Sequence, residues 1–401
     1  MHQTGQIERP SPHDTPSAFR TLAPVFFYFA VGGIATVMLG PLLPSLIQRW
    51  NIQDAQAGTL FTANFTGQLC GAWFAARNLR TSVLYGTVMT AAGCAAMAWA
   101  SFGIAHIALF CIGTGLGAGL TAGNIIAGTA VPALRARLLA ILNVDWGIGA
   151  IACPLLVHAT AAGGVGLFFF LTSALLATAA LFAITIPRQI RSIAPATLAS
   201  QSSSNAKPRI PLSHLHLFLF GAAMLLYVGV ENALGGWLPS YAARTNLSAR
   251  AASISLYFWI AELCGRLLVA GLMALISEAT LYRSCLALLI LTQALLCLAV
   301  HLSVTSLATL TILSGLTLAP VYPLLISFLL ARTGNNPRLG SLFAVASLGG
   351  ATLPWLTGIV STHFHGLRAG LLVPATGAIL LLSMSAVITA KPSSAPKPTP
   401  S

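Results

Sequence analysis

A helix needs about 20 mostly apolar residues to cross the hydrocarbon core of a bilayer. This chain of 401 residues carries twelve such runs, near 21–47, 57–76, 82–102, 105–131, 137–160, 166–187, 213–242, 251–275, 281–301, 305–331, 339–362 and 368–390. Only 7% of its residues are charged, against about 25% in a soluble domain. Such a chain cannot keep its surface wetted, so lipid is its solvent and every span must satisfy its backbone internally, as a helix does. The longest non-apolar break is PRQIRSIAPATLASQSSSNAKPRIP, residues 187–211, which leaves six runs on each side. The expected architecture is an all-α membrane protein of twelve transmembrane helices in two six-helix bundles. The bundles are expected over 21–187 and 213–390. A cytoplasmic N-terminal tail (1–20), a cytoplasmic linker (188–212) and a disordered Pro/Ser-rich tail (391–401) complete the chain.

The net charge of +13 does not mark a nucleic-acid binder, because the basic residues are scattered singly along loops rather than clustered. They set an orientation instead. With an even number of spans both termini share a side. Placing that side inside puts fifteen of the twenty Lys and Arg there, from Arg9 and Arg20 to Lys391 and Lys397. Four remain outside (Arg49, Arg244, Arg250 and Arg368) and one, Arg266, within a span. That bias predicts cytoplasmic termini and, in a bacterial-type cell, the inner (plasma) membrane. The N-terminus shows no pattern of a cleaved signal peptide. The seven cysteines lie in apolar runs without CxxC, and the histidines fall mostly at segment ends, so no metal or other cofactor is expected.

The halves repeat. GPLLPSL at 40–46 matches GGWLPSY at 235–241 with an offset of 195, and QLCG at 68–71 matches ELCG at 262–265 with an offset of 194. GIGAIACPLL at 147–156 matches SLGGATLPWL at 347–356 with an offset of 200. Since each half has six spans, the repeats run parallel, related by an axis along the membrane normal, with a solute site expected near the midplane between them.

Seven acids exist, and three fall in spans: Asp145, Glu231 and Glu262. On insertion scales each costs about 2.5–3.5 kcal/mol at a helix centre, so each needs a partner, a water cavity or a proton. Glu262 has Arg266 at i+4, the favourable order for an intrahelical ion pair. Its repeat equivalent is the uncharged Gln68, which favours a structural pair. Glu231 has no cation within a turn of its own helix and lies about 5 Å from the centre of its span. Its repeat equivalent is Thr36, so duplication does not explain it, and it is the leading candidate for proton coupling. Asp145, also near mid-span, is the second. A protonated acid hydrogen-bonded across helices is the structural alternative for both. Asn143, Trp146 and Gly147 share a helix face from which Asp145 is turned away. Candidate solute-binding groups at depth are Asn232, Asn124, Asn143, Gln68, Trp237 as a stacking face, and Tyr241, which alternatively anchors at the interface. An anionic solute would need a midplane cation, and the only one in a span is Arg266, expected to be paired.

These segments resemble the major facilitator superfamily over nearly the full length. The motifs are LYVGVENALGGWLPSY in the seventh run, NVDWGIGAIACPLL in the fifth, FWIAELCGRLLVAG in the eighth and ASLGGATLPWLTG in the eleventh. Within that superfamily they look most like the fucose permease-like sugar:proton symporters. The resemblance implies the major facilitator fold, two bundles rocking about a central cavity lined by helices 1, 4, 7 and 10, and no enzymatic activity. It also implies a monomer in the lipid bilayer that moves a small solute together with protons. The loop after the second run reads GAWFAARNLRTS, keeping Arg77 and Arg80 but with Ala76 near the acid usual in the family. Fucose permeases carry acids on helices 1 and 4, whereas here the first span has none and the fourth offers Asn124. Sugar or polyol symport is therefore the leading expectation. A proton-driven exporter of drugs or metabolites is the alternative, and an uncoupled facilitator the third.

Overall fold

A computed structural model of the chain describes residues 14–75, 77–131, 134–187, 214–247, 251–299, 302–333 and 339–390. The expected linker and C-terminal tail lie outside these residues. In the N-terminal half the helices are α1 (Asp14–Val37), α2 (Leu39–Trp50), α3 (Asp54–Ala75), α4 (Leu79–Trp99), α5 (Phe102–Ala130), α6 (Arg135–Ala159) and α7 (Gly164–Ala183). In the C-terminal half they are α8 (His214–Ala242), α9 (Ala251–Leu272), α10 (Glu278–Leu298), α11 (Val304–Leu318), α12 (Val321–Thr333), α13 (Leu339–His363), α14 (Leu367–Gly370) and α15 (Leu372–Ile388). α1 thus begins inside the stretch assigned to the N-terminal tail.

These helices make twelve rods, because α1–α2, α11–α12 and α14–α15 are each one span broken once. α1 and α2 meet at 42°. Pro41, in the first turn of α2, has no N–H to donate to Val37. α11 and α12 part at Ala319–Pro320. Nine helices among the described residues are long and apolar enough to cross a membrane, ten with the bent pair. α3 and α13 fall outside that set. α3 carries Asp54, Gln56, Asn64 and Gln68 and packs along α13 between the two halves, where such side chains face protein rather than lipid.

Arginines close the ends of the rods. Helix C-termini leave four carbonyls without partners. Arg80 donates to the carbonyls of Ile184 and Ile186 after α7. Arg332 donates to those of Val387, Ile388 and Ala390 at the end of α15. At the opposite end of the molecule Arg49 reaches the carbonyl of Ala98, and Arg368 those of Cys297 and Leu298.

The repeat read from the sequence is the symmetry of the seam between the halves. α2 crosses α8 where the equivalent glycines Gly40 and Gly235 meet; a Cβ on Gly40 would stand 2.2 Å from the Gly235 carbonyl oxygen. The crossing is flanked by two equivalent pairs. On one side α3 packs on α13, where Gly58 meets Trp355 and Gly350 meets Phe65. On the other α6 packs on α9, where Gly147 meets Leu263. The Gly40–Gly235 and Gly58–Trp355 contacts lie toward the end that carries Arg49 and Arg244, and the Gly350–Phe65 and Gly147–Leu263 contacts lie at mid-helix. Away from that end, among the described residues, α5 packs chiefly on α1, α3, α4 and α6, and α12 chiefly on α8 and α10, each within its own bundle.

Candidate functional site

α8 descends from the closed end as a series of layers. At the top Arg244, just beyond α8, donates two hydrogen bonds to Asp54 in the first turn of α3, at 2.7 and 2.5 Å. Asp54 also accepts from the Ser361 hydroxyl of α13 at 2.5 Å, and the Ala55 amide donates to Thr362 at 2.8 Å. This latch joins the two halves. Arg244 is 42% exposed, so the ion pair itself is worth roughly 1 kcal/mol or less.

Two turns below, Trp237 is fully buried. Its ring lies 6.2 Å from that of Phe61, and its N–H donates to the Pro354 carbonyl at 2.9 Å. It plugs the closed end, so in this conformation it offers no face to a solute. Tyr241 is buried one turn above it. The Gly40–Gly235 crossing comes next, and immediately beneath it are Asn232 and Glu231.

Glu231 is not alone. The Tyr227 hydroxyl, four residues earlier on the same helix, donates to its Oε1 at 2.8 Å, and Arg266 of α9 donates to the same oxygen at 2.9 Å. The same nitrogen of Arg266, Nη2, donates to Glu262 at 2.5 Å. The expected Glu262–Arg266 contact is thus made, but as part of a three-membered group that spans α8 and α9. The exposures differ in order: the side chain of Glu262 is 2% exposed, that of Glu231 12% and that of Arg266 20%. Glu262 forms the sealed base, while Glu231 and Arg266 reach the opening. Arg266 also stacks over Trp146 of α6, 5.4 Å from the ring centre. Trp146 meets Trp259 of α9 edge-on at 5.8 Å and donates its N–H to Thr36 of α1 at 3.4 Å. Tyr322, in the first turn of α12, stacks on Tyr227 at 5.1 Å. The cluster therefore draws on α1 and α6 of one half and α8, α9 and α12 of the other. Glu231 and its repeat equivalent Thr36 face each other across it through Trp146 and Arg266.

The amides divide. Asn124 stands seven residues after Gly117 on α5, hence on the same face. That face is packed on α3 at Gly117, against Gln68, and open at Asn124. Asn143 stands one turn from Gly147, below its contact with α9, and is also exposed. Asn124, Asn143 and Asn232 each donate to the carbonyl four residues back on their own helix. Each leaves its Oδ1 without a hydrogen bond among the described residues. Gln68 packs against α5 with its Nε2 buried and unpartnered. Asp145 is half-buried, makes no hydrogen bond or ion pair to the described residues, and is not brought to Arg266.

The sequence reading missed Tyr227 and Tyr322, the Asp54–Arg244–Ser361 latch, and the placement of Arg266 in the opening. The Tyr227–Glu231 spacing of four was a readable signal, since such residues share a helix face. The latch was not readable, because its members are 190 and 307 residues apart.

Known proteins show the same frame. A profile of the Major Facilitator Superfamily matches residues 25–338. Bypass of stop codon protein 6 of Saccharomyces cerevisiae is 23% identical over 385 residues, covering 85% of this chain and 76% of its own length. A bacterial homologue of the human lysosomal transporter Spinster, inward-facing and unoccupied, superposes with a TM-score of 0.71 at 15% identity, over 95% of this chain and 98% of its own. The E. coli fucose:proton symporter superposes with a TM-score of 0.61 at 16% identity, over 94% of this chain and 100% of its own. With two linked six-helix bundles, a seam that follows their repeat, and a family profile across most of its length, the chain belongs to the Major Facilitator Superfamily of transporters and is a multi-pass membrane protein.

Proposed function

We propose that this transporter moves a small hydroxyl-bearing solute, of the sugar and polyol kind, by proton-coupled symport with alternating access. The observation that carries the reading is Glu231. It stands at mid-membrane, just beneath the closed seam, partly open to the space between the bundles, and held by two donors from different helices. A carboxyl that exchanges one of those donors for a proton can report its protonation to the helices around it. Asn124, Asn143 and Asn232, each with a free carbonyl oxygen on or beside that space, suit hydroxyl groups. The structural neighbour from E. coli is a fucose:proton symporter, which accords with this assignment. Positive-inside bias places the latched end outside and both termini in the cytoplasm of the plasma membrane, so the conformation described is open to the cytoplasm. The chain acts as a monomer, since each copy holds a complete pathway.

The test is Glu231→Gln. Accumulation of solute driven by a proton gradient into vesicles should be lost, while counterflow, which needs no net proton movement, persists. Accumulation at the normal rate and extent in Glu231→Gln would remove Glu231 from the coupling role.

A further inference from the structure

Resting on that reading, the site also specifies what else the solute bears. Arg266 is paired, but both acids take the same nitrogen, Nη2. No carboxylate among the described residues takes its Nη1 or Nε, the Tyr227 hydroxyl is the other group beside the guanidinium, and the side chain keeps 20% of its surface exposed. A guanidinium is the side chain best matched to a carboxylate. A sugar hydroxyl can also accept from a guanidinium, but only a carboxylate takes two parallel N–H bonds and offsets its charge, which matters most at mid-membrane where an ionised side chain is costly.

Charge counting sharpens the point. With both acids ionised, Glu231, Glu262 and Arg266 sum to −1. The other titratable groups facing them are the phenols Tyr227 of α8 and Tyr322 of α12, both neutral. A solute carboxylate added to this arrangement would bring the group to −2 at mid-membrane, at a cost of several kcal/mol. A proton on Glu231 brings it to zero and frees one N–H of Nη2; a carboxylate arriving there restores −1, the charge the site already supports.

We propose that the solute is a small hydroxylated carboxylate, such as a sugar acid, whose carboxylate replaces that of Glu231 on Arg266 while a proton from solution binds Glu231. The amides on the pathway take its hydroxyls. One proton and one carboxylate then move together, with no net charge transferred.

The experiment uses the purified full chain in proteoliposomes, with labelled acetate, lactate and gluconate against their neutral counterparts glycerol and glucose. An inward proton gradient should accumulate at least one acid, gluconate foremost, and neither neutral compound. The half-saturating concentration should fall by about tenfold for each unit the pH is lowered, the slope of one linked proton. Arg266→Lys should raise it at least tenfold. Glu231→Gln, which mimics the protonated acid, should keep gluconate counterflow and lose its pH dependence. Gradient-driven uptake of glucose or glycerol but of no acid would overturn the carboxylate inference and leave symport standing. Carboxylate exchange indifferent to pH in the unaltered protein would overturn the exchange of proton for carboxylate and the symport reading with it. Failure of every compound to accumulate would contradict both.

Discussion

At the scale of single residues the energetics turn on a group of two acids and one base in low dielectric. Removing one member of a buried ion pair costs about 3–5 kcal/mol, because the partner is left charged and unpaired. Arg266→Ala should therefore lower the thermal unfolding midpoint of the purified protein well beyond an ordinary substitution. Glu231→Gln and Glu262→Gln added to Arg266→Met should recover much of the loss, because no charge then remains uncompensated. An Arg266→Ala variant as stable as the parent would show that the acids are satisfied by other means. The members of this group were legible as rarities: three acids and one arginine in spans stand out in so apolar a chain. What joins them was not, since the Arg266–Glu231 bond depends on how α8 and α9 cross. Trp237 shows the same limit. Its depth was readable, but not that the Pro354 carbonyl takes its N–H and Phe61 covers its ring.

At the scale of helices the seam is built to open and close. Its contacts are backbone against backbone at Gly40, Gly58 and Gly358, where a Cβ would stand under 3 Å from the facing main chain. Small residues permit such close approach in membranes without a hydrophobic driving force. Gly40→Val should thus hold the latched end apart, and Asp54→Asn should loosen it by weakening the tie to Arg244 and Ser361. Both effects can be read from the rate at which an impermeant maleimide reaches Trp237→Cys in a chain otherwise free of cysteine. The rate should rise several-fold in either variant, and an unchanged rate would show that neither contact governs closure. The bends were half legible. The runs 21–47 and 305–331 read as single spans; each holds prolines that can break a helix, but with Pro24, Pro41 and Pro44 in the first, which one bends it and by how much is set by packing.

At the scale of the whole molecule two properties follow from composition and repetition alone: twelve spans, and two parallel bundles about one axis. They were legible because hydropathy and repeat offsets are local or periodic signals. The seam obeys the same repeat, with α3 on α13 and α6 on α9 as equivalent pairs around the Gly40–Gly235 crossing. Which end was shut was not legible, because one sequence serves every state of the transport cycle. Orientation is checked by reporter fusions at the two termini, both of which should prove cytoplasmic. The central claim is that the carboxyl at 231 exchanges its protein donors for a proton at mid-membrane. Infrared difference spectra of the protein in lipid, recorded as the pH is lowered, test it most directly. We expect a carboxylic-acid carbonyl band that appears on acidification in the unaltered chain and is missing in Glu231→Gln. The same band at full strength in both proteins would contradict the account.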